Sequence, residues 1–302
     1  MIENIPAALD GQRVDRVVSL ITGCSRTQAV AIIDAGRVSV DGLVVAQRTQ
    51  RVHVGESIEV PDIDLRIAPP FADPTVPFDV VYEDDDVVVI DKPAGVVVHP
   101  GAGNADGTLV NGLLARYPEI AEVGEFIRPG IVHRLDKGTS GLLVVARTPA
   151  AYVHLVAQMA AHEAHRGYRA LAWGAFETTV GVIDAPLGRS DRDPTKIVVS
   201  QSGRAARTRY AVDRTFHDPV VVSLLTCELE TGRTHQIRVH LAAIGHPVVG
   251  DSRYRGTRPG LTMSRPWLHA ATLRFVHPVR GVELSFASPL PDDLTAVLAG
   301  LQ

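Results

Sequence analysis

The segment GIVHRLDKGTSGLLVVART, residues 130–148, joins a polar loop to an unbroken apolar run. The run is short, rich in branched aliphatic residues and bounded by polar residues, which predicts a strand buried on both faces. The loop carries one carboxylate, Asp136, between Arg134 and Lys137. Neighbouring cations favour the ionised form of a carboxylate. Asp136 is therefore either a solvated surface charge or an anion used in chemistry, because loops that enter a buried strand often present reactive side chains.

Beyond this strand, helical patterns are few and strand patterns are many. Thr148 and Pro149 are typical of a helix start and predict a helix to about Glu163. One amphipathic helix, THQIRVHLAAIG at 234–245, interrupts a series of β-like runs that begins at residue 168. Many strands with few helices between them favour an α+β fold with a mixed, mainly antiparallel sheet over a doubly wound fold.

The N-terminal part of the chain predicts two helices followed by a small β-sheet. Ser25 and Gln28 form a capping-box pattern that predicts the start of the second helix, and Gly36 predicts its end. Asp41-Gly42 between two short apolar runs is a strong signal for a β-hairpin. These patterns indicate a small α/β module that forms a unit of its own.

A proline-rich stretch separates this module from the rest of the chain. Residues 62–77, DIDLRIAPPFADPTVP, show no periodicity, which is typical of a linker. We therefore expect a small module over 1–61, a linker over 62–77 and one larger domain over 78–302.

Charge is distributed unevenly along the chain. The formal net charge of the 302 residues is −4, yet residues 204–280 contain twelve arginines and only five acidic residues. Arginine suits bidentate contacts to phosphate or carboxylate groups. The segment is therefore either a basic working face on an acidic protein or the product of a general preference for arginine over lysine.

Several features indicate where the protein works. The N-terminal sequence MIENIPAALDGQ lacks the basic and apolar regions of a signal peptide, and no apolar run is long enough to cross a bilayer. The two cysteines, Cys24 and Cys227, lie far apart and match no metal-binding spacing. We expect a cytoplasmic protein with reduced cysteines and no membrane partner.

Common cofactor and metal signatures do not fit this sequence. The glycine-rich stretch GAGNADG has one residue too many for a dinucleotide fingerprint, and no P-loop pattern occurs. HEAH at 162–165 is one residue short of the spacing that places two zinc ligands on one helical face. Neither Ser140 nor Ser264 lies in a nucleophile elbow. We therefore expect no cofactor and no metal.

Four segments together carry a resemblance to a known family. HRLDKGTSG at 133–141, GYRALAWG at 167–174, TGRTHQIRVHLAAIGHPVVGD at 231–251 and LHA at 268–270 resemble the signature segments of the ribosomal large-subunit pseudouridine synthases. DKPAGVVVHPGAGNADGTLVNGLL resembles the D branch of that family in particular. Residues 13–60 resemble the small RNA-binding module first seen in ribosomal small-subunit protein four, and the resemblance covers essentially the whole chain.

The resemblance implies a role for individual residues. Asp136 matches the catalytic aspartate, Tyr168 the tyrosine that lies against the target base, and Arg238 the arginine that pairs with the aspartate. Arg134 matches the arginine that enters the space left by the flipped nucleotide. Further RNA contacts are expected from residues around this site and from the N-terminal module, namely His133, Arg233, His235, Gln236, Arg26 and Arg37.

The implied reaction isomerises uridine in large-subunit (23S) ribosomal RNA to pseudouridine. The N1–C1′ bond breaks, the uracil rotates, and a C5–C1′ bond forms, which requires no cofactor. The expected partner is RNA, either ribosomal RNA or an assembling subunit, and we expect a monomer. Two alternatives are a non-catalytic RNA-binding or ribosome-assembly factor on the same scaffold, and a glycoside-type hydrolase. The hydrolase would need a second catalytic carboxylate, for which the sequence offers no candidate.

Overall fold

The computed structural model describes residues 2–22, 26–34, 36–60, 70–101, 104–193 and 195–302. It divides into two units, Met1–Pro69 and Pro70–Gln302. The residues predicted as a linker, 62–77, therefore fall partly outside the described residues and partly within the second unit. There, the Asn111 side chain donates to the Phe71 carbonyl, and the Asp73 amide donates to the Asn111 carbonyl.

The first unit contains two helices and a four-stranded antiparallel sheet. In chain order its elements are β1 (Ile2–Asn4), α1 (Val14–Thr22), α2 (Arg26–Asp34), β2 (Ser39–Val40), β3 (Leu43–Val44) and β4 (Ser57–Glu59). The strand order is β1-β4-β2-β3. The apolar faces of both helices and the inner residues of the sheet form one core, in which Val14, Val18, Ile33 and Ile58 are buried.

Local signals in the first unit gave the expected structure. Asp41 and Gly42 both have positive φ, 48° and 79°, as a type I′ hairpin turn between β2 and β3 requires. Gly36, with φ of 68°, follows the end of α2. The capping box predicted at Ser25 lies outside the described residues.

The second unit contains thirteen strands and four helices in its described part. They are β5 (Asp79–Glu83), β6 (Val87–Lys92), α3 (Leu109–Arg116), β7 (Gly124–Glu125), β8 (Arg128–Pro129), β9 (Ser140–Ala146), α4 (Pro149–Ala160), β10 (His165–Trp173), β11 (Val180–Asp184), β12 (Leu187–Arg189), β13 (Ile197–Val199), β14 (Arg207–Phe216), β15 (Val222–Leu229), α5 (Gln236–Ala243), β16 (Leu268–Val276), β17 (Glu283–Ala287) and α6 (Asp292–Ala299). None of these helices has the length and apolar character needed to cross a bilayer.

One nine-stranded sheet organises this unit. Its order is β11-β14-β15-β10-β16-β9-β6-β5, with β17 also paired to β16. Every pairing in this sheet is antiparallel except β9 with β16, which is parallel. The prediction of an α+β fold with a mixed, mainly antiparallel sheet is confirmed.

Helices cover the sheet on both faces around β6 and β9. Val88, Ile90, Leu143 and Val145 belong to one core with α3 and α5. Their strand neighbours, including Val144, belong to a second core with α4. Successive side chains of a strand point to opposite faces, so burial on both faces explains why these strands are apolar without interruption. The residues that precede β9 are thereby anchored to a rigid scaffold.

Gly141 allows β9 and β16 to approach each other. Its φ is +114°, and a Cβ atom at this position would overlap the backbone of Ala270. We expect Gly141→Ala to lower the free energy of unfolding by about 3 kcal/mol or more, since it combines backbone strain with a clash against backbone. Gly281→Ala is the matched control: Gly281 also has positive φ, +67°, but open space around it.

Urea unfolding of both variants measures this difference. The control should lose only about 1 kcal/mol, the usual cost of alanine at a left-handed position. If both variants lost the same free energy of unfolding, the close approach of β9 and β16 at Gly141 would not contribute to stability.

Candidate active site

Asp136 lies in the loop before β9, in the wall of a cavity of about 610 Å³. This volume is in the range of pockets that enclose small ligands. The loop 131–136, the end of α4, the start of β10 and the segment 229–238 line it. The structure brings eight of the ten predicted site residues to this one cavity: His133, Arg134, Asp136, Tyr168, Arg233, His235, Gln236 and Arg238.

The cation bound to Asp136 comes from a distant part of the chain. Arg238 Nη1 donates to Asp136 Oδ2 at 2.9 Å, and the two side chains are 10% and 16% exposed. Arg238 is the partner that the family resemblance implied, whereas Arg134 and Lys137, the cations next to Asp136 in sequence, are exposed. Asp136 is therefore held by a charge-assisted hydrogen bond to a guanidinium, which is stronger than a bond between neutral groups.

Asp251 holds Arg238 in place. Its side chain is fully buried and accepts from Arg238 Nε at 2.6 Å and from Nη2 at 2.9 Å. It also accepts from the backbone amides of Arg253 and Tyr254. Burial alone would lower the pKa of Arg238, but the hydrogen bonds and charges of its two carboxylate partners raise it overall. Arg238 is thus a fixed, permanently charged link between two carboxylates.

Asp251 was not among the residues predicted for the site. It ends the segment TGRTHQIRVHLAAIGHPVVGD and is one of only five acidic residues among the twelve arginines of 204–280. A carboxylate among so many arginines could have indicated an ion pair, because a buried carboxylate needs a cationic partner.

His235 faces Asp136 and forms a hydrogen bond with Tyr254. The Tyr254 hydroxyl accepts from the Ile197 amide and lies 2.8 Å from His235 Nδ1. The other ring nitrogen, Nε2, lies 4.0 Å from Asp136 Oδ1. Burial lowers the pKa of His235, and the charge of Asp136 opposes the shift.

Tyr168 reaches the cavity through an irregularity in β10. The register between β10 and β16 shifts at Gly167/Tyr168, and bulges of this kind redirect side chains near active sites. Tyr168 is 5% exposed and contributes to the main core as well as to the cavity wall. Burial raises the pKa of its hydroxyl, so the group stays neutral.

His133 and Gln236 are both hydrogen-bonded within the protein. His133 Nε2 accepts from the Val144 amide at 3.1 Å, and burial lowers the pKa of His133 to about 3. The Gln236 amide donates to the Arg207 carbonyl and to Thr208 Oγ1, while its oxygen accepts from the Thr231 hydroxyl and the Arg233 amide. The Gln236 amide is thus engaged at the start of α5, with both ends bonded, and its contact with RNA stays a prediction.

Two arginines lie at the exposed part of the cavity wall. Arg134 is exposed, and its Nη1 lies 3.3 Å from His99 Nε2. Arg233 donates from Nε to the Ala205 carbonyl at 3.0 Å. Neither forms an ion pair with a described carboxylate, so both guanidinium groups keep their charge for an external anion.

Arg26 and Arg37 belong to the first unit. Arg37 is exposed just after α2, and the side chain of Arg26 lies outside the described residues. Their contact with RNA stays a prediction.

The arginine-rich segment has two uses in the structure. Six of its twelve arginines pair with described carboxylates: Arg207, Arg209, Arg238, Arg265, Arg274 and Arg280. These six arginines are therefore engaged within the protein. Fewer arginines of 204–280 are left to bind an external anion than the sequence count indicated.

Within the described residues, one cluster has donor atoms arranged as a metal site would have them. It consists of Asp84, Asp86 and His277. However, Asp84 Oδ2 already accepts from His277 Nε2 at 2.8 Å, from Arg280 Nη2 at 2.6 Å and from the Tyr82 hydroxyl at 2.6 Å. Burial would raise the pKa of Asp84, but hydrogen bonds from the Tyr82 hydroxyl, the Val87 and Asp86 amides and His277 lower it to about 2. We assign the cluster to an ion-pair network that joins β5 to the turn after β16.

Lys92, at the end of β6, is a buried cation near the site. Its Nζ donates to the carbonyls of Pro93 and Val96 at 2.8 and 2.9 Å. Burial lowers the pKa of Lys92 to about 7, and the charge of Asp136 opposes the shift. We expect Lys92→Met to cost about 2 kcal/mol of stability, because two carbonyls lose their donor.

The cost of Lys92→Met should depend on pH. Between about pH 7 and the ordinary lysine pKa of 10.5, the unfolded chain keeps this proton and the folded wild type releases it. Wild-type stability relative to the variant therefore rises with pH across this window, and it is lowest and constant below about pH 7, where both states hold the proton. Urea unfolding of both proteins over this range measures the difference, and a constant difference would contradict the shifted pKa.

Comparison with known proteins places this geometry in a family. The family description "RNA pseudouridylate synthase" matches residues 86–243, more than half of the chain. "Ribosomal large subunit pseudouridine synthase D" of Xanthomonas campestris is 43% identical over 99% of this chain and 91% of that protein. An "Uncharacterized RNA pseudouridine synthase" of Chloroflexus aurantiacus is 48% identical over 99% of this chain and 92% of that protein.

A solved structure has the same fold. "Human RNA Pseudouridylate Synthase Domain Containing 1" covers 75% of this chain and 88% of its own, with a TM-score of 0.59 and 28% identity. The matched profile spans β6 to α5 and so contains Asp136, Tyr168 and Arg238. From sequence and fold alike, the chain belongs to the RNA pseudouridylate synthase family.

Proposed function

We propose that the protein isomerises specific uridines of large-subunit ribosomal RNA to pseudouridine. The observation that carries the proposal is the Asp136–Arg238 pair, a carboxylate bonded to a guanidinium in the wall of a cavity large enough for a nucleotide base. Near full-length relatives named for the ribosomal large subunit support the choice of RNA.

Asp136 is proposed to act on the sugar of the target nucleotide. Breaking the N1–C1′ bond develops positive charge at C1′, and a carboxylate beside that carbon stabilises it, as in glycosidases. A single carboxylate suffices, because the uracil stays in the cavity and rejoins through C5 without an activated water. Arg238 keeps the carboxylate charged and oriented, and Asp251 in turn fixes Arg238.

Access to the sugar requires that the nucleotide leave the RNA stack, which costs a few kcal/mol. The exposed Arg134 lies two residues before Asp136 and is proposed to fill the vacated space. Tyr168 is proposed to lie against the base, to which its buried ring offers an apolar wall. Contacts to phosphates are assigned to Arg233 and to the arginines of 204–280 that lack a described carboxylate partner, with Arg26 and Arg37 as further contacts from the first unit.

The proposal includes the cellular setting. We propose that the protein works in the cytoplasm and that residues 1–61 are an accessory RNA-binding module. We expect the protein to act as a monomer, because one chain supplies every residue of the site described above.

Mapping pseudouridine tests the substrate. Large-subunit RNA from a strain that lacks the gene is incubated with purified protein, and pseudouridines are located by carbodiimide modification and primer extension. We expect new pseudouridine at a few discrete positions. Modification of transfer RNA with no modification of large-subunit RNA would refute the proposed substrate.

A further inference from the structure

Unpaired polar atoms cluster at the cavity. Among the described residues, four buried side-chain polar atoms have no hydrogen-bond partner, and three of them belong to cavity-lining residues. These three are His133 Nδ1, Thr139 Oγ1 and Arg166 Nε. Buried polar groups are nearly always paired, so such a concentration at one cavity indicates a polar ligand that the site is built to receive.

Of these three unpaired groups, Arg166 is expected to cost the folded state the most free energy, because it is charged. It is only 8% exposed, and in the described part of the chain neither an ion pair nor a hydrogen bond engages its guanidinium. A buried, unpaired charge is strongly destabilising. By contrast, Arg169 on the same strand pairs with Asp213 at 2.8 Å and donates to Thr226 at 2.6 Å.

Gly232 leaves room for the Arg166 head group. A Cβ atom at position 232 would lie 2.7 Å from Arg166 Nη1. The guanidinium therefore packs against the segment that leads into α5, on the same cavity as Tyr168 and Asp136. His133 lies close enough for the charge of Arg166 to lower its pKa further.

The tautomer of His133 adds a second donor. Because Nε2 accepts from the Val144 amide, Nδ1 must carry the proton in the neutral ring, and this N–H is unpaired. The cavity thus offers a cation and a neutral donor, both of which call for acceptor oxygens on the ligand.

We propose that Arg166 contacts a carbonyl oxygen of the target uracil and stabilises the negative charge that the base acquires when its bond to the sugar breaks. This inference rests on the proposed function. His133 Nδ1–H serves as a second donor to the same base. Arg166 is thereby the counterpart of Asp136: the carboxylate stabilises the sugar, and the guanidinium stabilises the departing base.

Cleavage of the N1–C1′ bond leaves negative charge on the uracil, which a cation beside the base would stabilise. When N1–C1′ breaks heterolytically, its electron pair stays on the uracil, which becomes an anion delocalised over N1, O2 and O4. The positive charge left at C1′ is compensated by Asp136. The C5 electron pair then forms the C5–C1′ bond, C5 releases its proton and N1 takes up one, so no atom is gained or lost.

A phosphate group is the less suitable occupant. Phosphates stay at the rim of such a cavity, where the exposed Arg134 and the partly exposed Arg233 are available. Arg166 is more deeply buried than either and lies next to Tyr168, two residues on in the same strand. Arg166 therefore lies where a base flipped into the cavity would reach, and not at the rim where a phosphate would stay.

Three variants test the role of Arg166. Arg166→Met removes the charge but keeps an apolar stem, Arg166→Lys keeps a charge, and Arg169→Met removes a paired arginine from the same strand outside the cavity. For each protein, the single-turnover rate of pseudouridine formation, the melting temperature and the salt dependence of the RNA dissociation constant are measured. The wild type is measured first on the same RNA.

We expect Arg166→Met to lower the single-turnover rate about 100-fold, the usual effect of removing one preorganised donor to developing charge. Its melting temperature should equal or exceed that of the wild type, because an unpaired buried charge has been removed. Arg166→Lys should recover part of the rate. Arg169→Met should keep the wild-type rate while losing some stability.

Other outcomes overturn the inference. An unchanged rate in Arg166→Met would exclude a role in the step, and a melting temperature that falls together with the rate would assign a structural role instead. Weaker RNA binding with the slope of log Kd against log salt reduced by about 0.7 to 0.9 would indicate a phosphate contact. A wild type that forms no pseudouridine would refute the proposed function itself, which is a different result from an active Arg166→Met.

Discussion

Asp136→Asn is expected to yield a folded protein that binds RNA and forms no detectable pseudouridine. Asparagine has the same shape and can still accept a hydrogen bond from Arg238, so the cavity should keep its form. It has no charge to stabilise C1′, and losses on removal of a central catalytic group are about 10⁴-fold or more. Single-turnover conversion of radiolabelled RNA measures the rate, and a filter-binding assay measures the dissociation constant.

The control for this variant is Asp79→Asn, which removes an exposed carboxylate from edge strand β5. It should keep wild-type conversion and binding. Because phosphates repel a carboxylate, Asp136→Asn should bind RNA as tightly as the wild type or more tightly. If Asp136→Asn converted uridine at more than a few per cent of the wild-type rate, the carboxylate could not be the central catalytic group.

Asp251→Asn is expected to harm both stability and activity. The substitution removes the buried charge that compensates Arg238, and breaking a buried ion pair costs about 3–5 kcal/mol. An amide also presents hydrogen atoms to the Nε and Nη2 donors of Arg238. Arg238 should then shift, and Asp136 should lose its partner, so that the maximal rate falls more than RNA affinity does.

Asp293→Asn is a closely matched control. Asp293 accepts from Arg265 Nε at 2.6 Å and from Nη2 at 2.8 Å, almost the same geometry as in the buried pair. Its side chain, however, is 49% exposed, whereas that of Asp251 is fully buried. Exposed pairs contribute about 1 kcal/mol or less, so urea unfolding should separate the two variants clearly. Equal losses would mean that burial of the Asp251 pair is energetically unimportant.

Sequence patterns were sufficient where the determining forces act over a few residues. The Asp41-Gly42 turn is confirmed by positive φ at both positions, and the start of α4 by the Thr148 hydroxyl, which accepts from the Ala151 amide. The end of α4 was placed too far along the chain. The helix stops at Ala160, and His162 adopts a left-handed conformation with φ of 61°.

Helix α6 was missed although local signals for it exist. Pro291 precedes it, Asp292 and Asp293 occupy its first turn, and Gly300 follows it. Acidic residues in the first turn and glycine after the last are typical helix boundaries.

The sequence by itself determined the buried strand β9, the α+β class and, through its family resemblance, the group of side chains around Asp136. The pairing of Asp136 with Arg238 was implied by the resemblance and is present in the structure. Only the tertiary structure decided that Arg238 also pairs with Asp251 and that Arg166 pairs with no described residue. The physical reason is range. Turn geometry and side-chain periodicity act within a few residues, whereas the partners of a charge depend on which strands pack together, and the parallel pairing of β9 with β16 joins positions such as Ser140 and His269 that no local pattern relates.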